Sequence, residues 1–342
     1  MNDILSPKNI TRRDFIKTTI LAGIGISQIA GCAVKQKSLI PAIQQTSDSA
    51  TIVIIKSEKL AKPDRGLIKS LLDIAIPEVL GVESPEIAWR RLFKPTDYVG
   101  IKVNCIAPMI PTHPELAFAI ADSLIGIGIA PEQIIIWDRE DRELSICGYS
   151  LNFDGPGIRC YGTKPRVGYG EELVVSRSVG SRLSKIISRQ CTATISAPVL
   201  KDHNIAGITA GLKNYFGAIE NPNKFHGNNC DPFVADLNLA PQIKEKNKLV
   251  ICDAIKVLYE GGPTDCKPRW TWNYNGIIIG TDMVAVDQVA LMLLEEKRAS
   301  EGLPPLAAVG RPAKYITTAG DPDHQLGVKD PQKIRIIELS GS

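Results

Sequence analysis

Residues 98–138 decide the fold class of this chain, because they combine two strand-like runs with one helical run. They read Tyr98-Val-Gly-Ile-Lys-Val-Asn104, then a helical spacing of apolar residues over 113–127, then Gln133-Ile-Ile-Ile-Trp-Asp138. A strand, a helix and a second strand in this order form the crossover unit that joins parallel strands. Both strands are continuously apolar rather than alternating, which predicts a sheet covered by helices on both faces.

The same patterns extend along the rest of the chain. Runs of β-branched and other apolar residues predict further strands at 51–56, 173–176, 193–198, 248–253, 276–280 and 333–339. Helical spacing of apolar residues predicts helices at 66–80, 182–189, 232–244 and 283–298. The predicted fold class is α/β, with a main parallel or mixed sheet covered by helices on both faces. The 342 residues suffice for one large body or for two lobes, 50–200 and 245–342, around a segment at 201–230.

Composition and charge exclude some classes of function. The chain has 40 Lys and Arg residues against 37 Asp and Glu residues, and no basic cluster is interleaved with aromatic residues. The sequence therefore has no electrostatic footprint for nucleic acid. No two of the 8 cysteines are spaced as Cys-x-x-Cys, which argues against an iron–sulfur cluster or a zinc ribbon.

The first residues resemble an export signal followed by a lipidation site. Thr11-Arg12-Arg13-Asp14-Phe15-Ile16-Lys17 resembles the twin-arginine signal, and Ile29-Ala30-Gly31-Cys32 resembles the lipobox that precedes a lipidated cysteine. The uncharged run between them is shorter and richer in glycine than the ~20 apolar residues of a bilayer span. An ordinary N-terminal membrane anchor is the alternative interpretation.

These features imply export and membrane anchoring. Residues 1–31 are interpreted as a signal peptide, Cys32 as the lipidated residue and 32–49 as a flexible tether before the α/β domain at 50–342. The resemblance implies passage through the twin-arginine export machinery. It also implies attachment to a membrane through the lipid, in the periplasm or on the cell surface. Because this route carries folded proteins, a cofactor inserted before export is compatible with it.

The other cysteines allow two structural interpretations. Three of them in or beside apolar runs are expected to be small buried residues: Cys105, Cys191 and Cys252. In an oxidising compartment, Cys147 could pair with Cys160, or Cys230 with Cys266, in a disulfide.

Polar residues and glycines are concentrated after the strand predicted at 193–198. The segment reads Lys201-Asp-His203-Asn-Ile-Ala-Gly207-Ile-Thr209-Ala-Gly211-Leu-Lys213-Asn214, and His226 follows it. Open α/β sheets bind ligands beyond the carboxyl ends of their strands, and a lysine among glycines suits an anionic group. His203 is a candidate catalytic residue and His226 a candidate metal ligand, while a purely architectural turn is the alternative. The candidate cofactor-binding residues are Lys201, Gly207, Gly211, Lys213 and Asn214.

Two acidic residues are further catalytic candidates. Asp138 and Asp253 each close a predicted apolar strand, a position from which ligand-binding side chains commonly project. A helix cap or a turn is the alternative role for each of them. Asp282 is expected to cap the helix that follows it, and His113 is expected in a capping or surface position at a helix start.

The motifs around these candidates resemble a known family. The chain looks like the domain of unknown function DUF362 in four runs: Val99-Gly-Ile-Lys-Val-Asn104, Pro198-Val-Leu-Lys-Asp-His203, Gly211-Leu-Lys-Asn-Tyr-Phe-Gly217 and Gly280-Thr-Asp-Met-Val-Ala-Val-Asp287. His226, and Asp253 with Gly262-Pro263, follow the same pattern. The resemblance covers residues 95–295 and implies a globular α/β domain. Relatives sometimes carry ferredoxin-like modules, and the cysteine spacing here lacks that pattern.

A second resemblance, to the nickel-pincer lactate racemases, rests on the order of five sites: His203, Ala206-Gly207, Gly211, Lys213 and His226. It implies an acid/base role for His203, contact of Lys213 with a nucleotide-derived cofactor, and nickel ligation by His226. The chain departs from the racemase pattern at Asn104-Cys105-Ile106-Ala107. It departs again at Asp138-Arg139-Glu140-Asp141, where the racemases have a partner histidine. These departures argue against a two-histidine racemisation.

The leading hypothesis is an exported, membrane-anchored lipoprotein enzyme. Its cofactor- or metal-dependent site would perform acid/base or redox chemistry on a small anionic substrate. The cofactor is not identified by the sequence, and a transition metal and a nucleotide-derived cofactor are the candidates. The alternative is a non-catalytic ligand-binding or accessory lipoprotein of the cell envelope that uses the same crevice.

Overall fold

A mixed sheet of ten strands forms the centre of the computed structural model, which describes residues 48–341. In chain order the strands are β1 Ala50–Lys56, β2 Val99–Lys102, β3 Ile134–Glu140, β4 Arg159–Lys164, β5 Val174–Ser176, β6 Val179–Ser181, β7 Ala193–Ser196, β8 Val199–His203, β9 Gly207–Thr209, β10 Asn247–Leu258, β11 Thr271–Gly280 and β12 Ile334–Ser340. The α-helices of the same residues are α1 Arg65–Leu80, α2 Pro85–Leu92, α3 Pro114–Gly126, α4 Asp141–Ile146, α5 Phe233–Asn238, α6 Pro241–Lys244, α7 Met283–Ser300 and α8 Lys314–Ala319.

The topology of the sheet confirms the predicted fold class. Its strands lie in the order β12-β1-β11-β10-β7-β2-β3-β4, and β8 pairs with both β10 and β9. The neighbours from β10 to β4 are parallel, whereas β11 is antiparallel to β1 and to β10. β5 and β6 form a separate hairpin. The chain is therefore an α/β protein with a mixed sheet.

Apolar cores cover both faces of the sheet, as alternate residues of β1 show. Ile52 and Ile54 belong to one buried core, and Val53 and Ile55 belong to a second one. The first core also contains residues of α7 and α8, and the second contains residues of α1 and α3. Continuous apolar strands thus lie between two layers of helices, as the sequence predicts.

Local sequence sets the ends of the helices around the sheet. α1 begins after Asp64, whose carboxylate accepts a hydrogen bond from the N–H of Leu67, and it ends at Gly81 with φ of 61°. The predicted cap at Asp282 is confirmed, because its carboxylate accepts the N–H of Ala285 in the first turn of α7.

β7 and β8 both pair with β10, one after the other, and a break at Ala197-Pro198 separates them. β7 pairs with the beginning of β10, and β8 pairs with β10 again from Val199 opposite Asp253 onward. β8 then folds back on β9 in an antiparallel pair, with His203 opposite Gly207. This arrangement places the polar end of β8 beside the ends of β2 and β3.

Several predicted elements differ in extent from those in the structure, and β10 and the helix predicted at 182–189 are examples. β10 continues to Leu258 because the apolar run resumes after Asp253, so Asp253 lies inside the strand rather than at its end. The helix predicted at 182–189 is reduced to a short π-helical segment, Ile186–Gln190. Before that segment, Leu183 and Ser184 instead form isolated β-bridges with Ile219 and Tyr169.

The cysteines of the described residues are free thiols, so neither of the two candidate disulfides is formed in this structure. Cys147 packs on Cys105, with its Sγ 3.5 Å from the Cys105 carbonyl oxygen, whereas Cys160 lies in β4. Cys230 is fully buried, while its predicted partner Cys266 is partly exposed. The prediction of small buried residues is confirmed for Cys105, Cys191 and Cys252.

The described residues belong to one compact unit, and the two candidate lobes share its sheet through the pairing of β7 with β10. The signal peptide at 1–31 with Arg12 and Arg13, the lipidation site Cys32 and nearly all of the tether lie outside the described residues. No helix within residues 48–341 combines the length and the apolar character that a bilayer span requires.

Candidate functional site

A cavity of about 410 Å³ opens where the ends of β2, β3 and β8 meet. Two 3-10 turns, Lys213–Ala218 and Pro222–Phe225, form a further part of its wall. This is the edge of the sheet at which open α/β proteins bind their ligands.

The cavity brings together most of the residues predicted from the sequence. Those that line it are Asp138, Lys201, His203, Lys213, Asn214 and His226. The others, Gly207, Gly211 and Asp253, are not part of its wall. The segment after β8 and the acidic residue in β3 are therefore adjacent in space although they are distant in the chain.

Lys102 and Asp138 form a buried ion pair at the cavity. The Lys102 Nζ lies 2.6 Å from the Asp138 Oδ1, and it also donates to the carbonyl oxygen of Val103 at 2.6 Å. The second carboxylate oxygen of Asp138 accepts the N–H of Cys105 at 2.7 Å. Sequence reasoning missed Lys102 as a site residue, although a lysine inside the apolar run of β2 was a usable signal.

Two asparagines connect this ion pair to Lys201. The Lys201 Nζ donates to the Asn104 Oδ1 at 2.7 Å, and the Asn104 Nδ2 donates to the Asn214 Oδ1 at 3.3 Å. The Asn214 Nδ2 in turn donates to the carbonyl oxygen of Lys102 at 2.8 Å. The amides satisfy buried polar atoms and hold Lys201 in place without neutralising its charge.

Lys201 and Lys213 are buried at the cavity without an acidic partner. Their exposed fractions are 0% and 6%, and no carboxylate of the described residues lies within ion-pair distance of either ammonium. Lys213 donates towards the His226 Nε2 at 3.3 Å and lies 3.8 Å from the centre of the Phe216 ring. Burial lowers the pKa of each lysine to about 8.

The two histidines of the cavity have opposite hydrogen-bonding roles. The His203 Nδ1 accepts the N–H groups of Ile205 and Ala206 at 3.2 and 3.1 Å, which leaves the proton of the neutral ring on Nε2. The His226 Nδ1 lies 2.9 Å from the carbonyl oxygen of Pro222 and donates to it, so its Nε2 is an acceptor. The rings stack with centroids 5.5 Å apart.

The surroundings of these histidines keep both rings neutral. Burial, followed by the charge of Lys213, lowers the pKa of His203 to about 2. The same two causes lower the pKa of His226 to about 4. At neutral pH His203 therefore supplies a neutral N–H donor, and His226 supplies an acceptor for Lys213.

Gly207 and Gly211 serve the fold around the cavity. Gly207 has φ of +83°, and a Cβ there would lie 2.6 Å from the carbonyl oxygen of Arg311. A Cβ at Gly211 would lie 3.0 Å from the Asp287 Oδ1. Both glycines allow close packing against neighbouring elements. The sequence had predicted them as cofactor-binding residues instead. Gly217 does line the cavity, and a Cβ there would lie 2.8 Å from the Lys102 Nζ.

Asp253 holds the start of α3 instead of lining the cavity. Its Oδ2 accepts the backbone N–H of His113 at 2.8 Å and lies 2.7 Å from the His113 Nδ1. Its Oδ1 accepts the N–H of Ile255 at 3.0 Å. His113 is the N-cap residue of α3, as expected, but its side chain does not cap the helix, because its ring pairs with the fully buried Asp253 carboxylate.

A second charged network fixes the rim of the cavity, and sequence reasoning missed it. The Arg311 guanidinium lies 2.8 Å from both carboxylate oxygens of Asp202 and 2.8 Å from the Glu260 Oε2. Asp202 also accepts the N–H of Gly262 at 3.0 Å, which anchors the turn that carries the rim residue Pro263. No spacing in the sequence linked these residues.

The donor set of the cavity does not fit a metal ion held by side chains alone. Within residues 48–341, no three His, Cys, Asp or Glu side chains are grouped as metal ligands. The acceptor nitrogen of His226 faces the ammonium of Lys213, and Lys201 adds a second positive charge. Since like charges repel a cation at this position, no chemical step is assigned to a metal.

Two solved structures are similar to this chain. The lactate racemase apoprotein from Thermoanaerobacterium thermosaccharolyticum matches with a TM-score of 0.41 and 12% identity, over 68% of this chain and 54% of the racemase chain. A protein from Thermotoga maritima matches with a TM-score of 0.38 and 12% identity, over 64% of this chain and 57% of that chain. This chain thus spans little more than half the length of each.

Sequence comparison with curated proteins finds no match. A family model does match, and its description is a domain of unknown function, DUF362. The match extends over residues 99–292, which is more than half of the chain and contains β2, β8, both 3-10 turns and all the cavity residues described above. The chain belongs to the DUF362 family.

Proposed function

We propose that the cavity binds a small anionic ligand and transfers a proton to or from it. The observation that carries this proposal is the presence of two buried lysines, Lys201 and Lys213, without an acidic partner among the described residues. Burying an uncompensated ammonium is unfavourable for folding, and a bound anion offsets that cost. Perturbed titratable groups that line a cavity commonly mark functional sites.

The hydrogen bonds of the cavity divide the work between its residues. Lys201 is fixed by Asn104 and keeps further N–H donors for the charge of the ligand. His203 donates its Nε2–H to a ligand oxygen, because its Nδ1 is already engaged by two backbone amides. A neutral donor of this kind stabilises negative charge that develops on that oxygen.

Lys213 is the proton carrier in this proposal. Because the pKa of Lys213 is about 8, its ammonium and its free amine interconvert readily near neutral pH, as general acid–base catalysis requires. The protonated form gives a proton to the ligand, and the neutral amine that results takes a proton from the ligand or from water. His226 orients the Nζ through its acceptor nitrogen.

The test combines ligand binding with isotope exchange. Calorimetry with a panel of small carboxylates and phosphate esters measures affinity in the wild type and in Lys201→Met, Lys213→Met and His203→Gln. Mass spectrometry of the ligands after incubation in D₂O measures proton transfer to carbon. Lys224 is exposed in the turn Pro222–Phe225 and does not itself line the cavity, so Lys224→Met is a matched control for loss of a lysine.

We expect Lys201→Met to weaken binding by about tenfold or more, as loss of a hydrogen bond to a charged group does. We expect Lys213→Met to abolish exchange, and Lys224→Met to change neither quantity. Binding by the wild type without exchange of any ligand would favour the alternative, a non-catalytic ligand-binding or accessory lipoprotein. If no anion distinguishes the wild type from Lys201→Met, the proposal is wrong.

We also propose that the protein is exported by the twin-arginine route and anchored to a membrane through Cys32. The support is the order of motifs at Arg12-Arg13 and at Ile29-Ala30-Gly31-Cys32. Metabolic labelling with palmitate tests the anchor, and we expect the label to be lost in Cys32→Ser. We expect Arg12→Lys with Arg13→Lys to leave the protein inside the cell. Labelling that persists in Cys32→Ser would contradict this proposal.

A further inference from the structure

We infer that the ligand of this cavity is a small organic dianion with two separate carboxylates, one bound by Lys201 and the other by Lys213. The inference rests on the proposed function, because it names the class of anion that the same site takes. It starts from the balance of charge inside the cavity and from the way in which each lysine is held.

The charge balance favours two negative charges rather than one. Lys102 is neutralised by Asp138, at 2.6 Å between Nζ and Oδ1. At the rim, the lining includes Arg139 and Glu143, whose opposite charges cancel in the sum. His203 and His226 are neutral. Two positive charges remain without compensation, and a monoanion would neutralise only one of them.

The anchoring of the two lysines favours separate binding positions. Lys201 extends from β8 and is held by Asn104, on the side of the Lys102–Asp138 pair. Lys213 begins the 3-10 turn and is held by His226, which is in turn fixed by Pro222. Among residues 48–341, the two ammonium groups share no hydrogen-bond partner. Two carboxylates joined by a short carbon chain therefore match them better than one compact anion.

Each ammonium keeps donors for a carboxylate. An ammonium has three N–H groups, and Lys201 and Lys213 each make one hydrogen bond within the described residues. The Nε2–H of His203 adds a further donor at the cavity. The volume of about 410 Å³ accommodates a ligand larger than one carboxylate group.

The test compares acids of equal length that differ in one charge. Malonate is paired with propionate, succinate with butyrate, and glutarate with valerate. Calorimetry at constant ionic strength gives the dissociation constants. We expect at least one dicarboxylate to bind about tenfold or more tightly than its monocarboxylate partner, since each contact with a charged group contributes that much. We expect this advantage to disappear in Lys201→Met and in Lys213→Met, and to persist in Lys224→Met.

The outcomes separate this inference from the proposed function. If some of these anions bind but no dicarboxylate binds about tenfold more tightly than its monocarboxylate partner, the dianion inference is overturned and the proposed anion binding stands. If inorganic phosphate binds more tightly than every dicarboxylate, the two positions are not separate and the inference is again overturned. If no anion binds, the proposed function fails as well. Circular dichroism and thermal unfolding of both lysine variants confirm that a loss of binding does not come from unfolding.

Discussion

Lys102 and Lys201 line the same cavity and are both buried, yet their surroundings differ in one respect. Lys102 forms an ion pair with the carboxylate of Asp138, whereas the hydrogen-bond partner of Lys201 among residues 48–341 is the amide oxygen of Asn104. Lys213 resembles Lys201, because its hydrogen-bond partner is a neutral imidazole. The comparison teaches that burial alone does not identify a binding residue, and that the missing counter-charge does.

The compensated pair contributes to the fold of the cavity. The Asp138 carboxylate also accepts the N–H groups of Cys105 and Arg139, so it fixes the chain after β2 to the last residues of β3. Within the described part of the chain, neither Lys201 nor Lys213 is hydrogen-bonded to an acidic group. We therefore expect substitutions in the two sets to change stability in opposite directions.

The largest expected effect is at the compensated pair. Asp138→Asn preserves the shape of the side chain but leaves the ammonium of Lys102 buried without a counter-charge. We expect the free energy of unfolding to fall by about 3 to 5 kcal/mol, the usual cost of breaking a buried ion pair. Urea denaturation followed by circular dichroism measures it.

The matched control makes the same chemical change in an exposed pair. Lys56 and Glu338 are 3.6 Å apart, with 39% and 66% of their side chains exposed. Glu338→Gln is expected to cost no more than about 1 kcal/mol. A cost for Asp138→Asn no greater than that of Glu338→Gln would show that the buried pair does not hold the cavity together.

The sequence was sufficient for the fold and for the neighbourhood of the site. The apolar runs at 98–104 and 133–138 predict parallel strands because a helical run lies between them, and the structure confirms this pairing. Since the carboxyl ends of parallel strands meet at one edge, Asp138 and the segment after β8 come together at the cavity. Strand direction and composition carried this part of the prediction.

The sequence was not sufficient where contacts between distant residues determine the role of a side chain. Asp253 was predicted at a strand end, but the strand continues and its carboxylate binds His113. Gly207 was predicted to bind a cofactor, but it packs against the carbonyl oxygen of Arg311. Neither partner lies within reach along the chain. The compensation of Lys102 was hidden for the same reason, since its partner is on another strand.

The second prediction concerns Lys213 and has the opposite sign. Lys213→Met removes a buried ammonium and retains the apolar stem over the Phe216 ring. Since burial lowers the pKa from 10.5 to about 8, we expect the free energy of unfolding to rise by roughly 1 to 3 kcal/mol at pH 7. Lys224→Met, at an exposed site, is expected to remain within about 0.5 kcal/mol of the wild type.

The lowered pKa of Lys213 also determines how the stability difference between the wild type and Lys213→Met changes with pH. The lysine in the folded protein has the lower pKa, so between pH 8 and pH 10.5 the unfolded chain holds a proton that the folded protein has lost. The stability of the wild type relative to Lys213→Met therefore rises across that window. We expect the stability difference to be largest below pH 8 and to close towards pH 10.5 in urea titrations. A difference that is independent of pH would argue against an uncompensated charge on Lys213.

The smallest expected effect is at a compensated pair outside the cavity. Burial lowers the pKa of His113, but the charge and hydrogen bond of Asp253 outweigh it, so the net pKa is raised from 6.5. Since the folded protein holds the proton more tightly than the unfolded chain, this pair contributes stability below pH 6.5. That contribution is lost as the pH rises through the folded pKa.

His113→Gln is therefore expected to lower the free energy of unfolding by about 1.5 kcal/mol at pH 6, the lower end of the range for loss of one hydrogen bond to a charged group. The same variant at pH 9 is its own control, because the difference from the wild type should shrink there. Anion binding should remain unchanged, since Asp253 and His113 lie outside the cavity wall. Weaker anion binding in His113→Gln would mean that the compensated pairs, as well as the uncompensated lysines, act on the ligand, and the distinction between the two sets would fail.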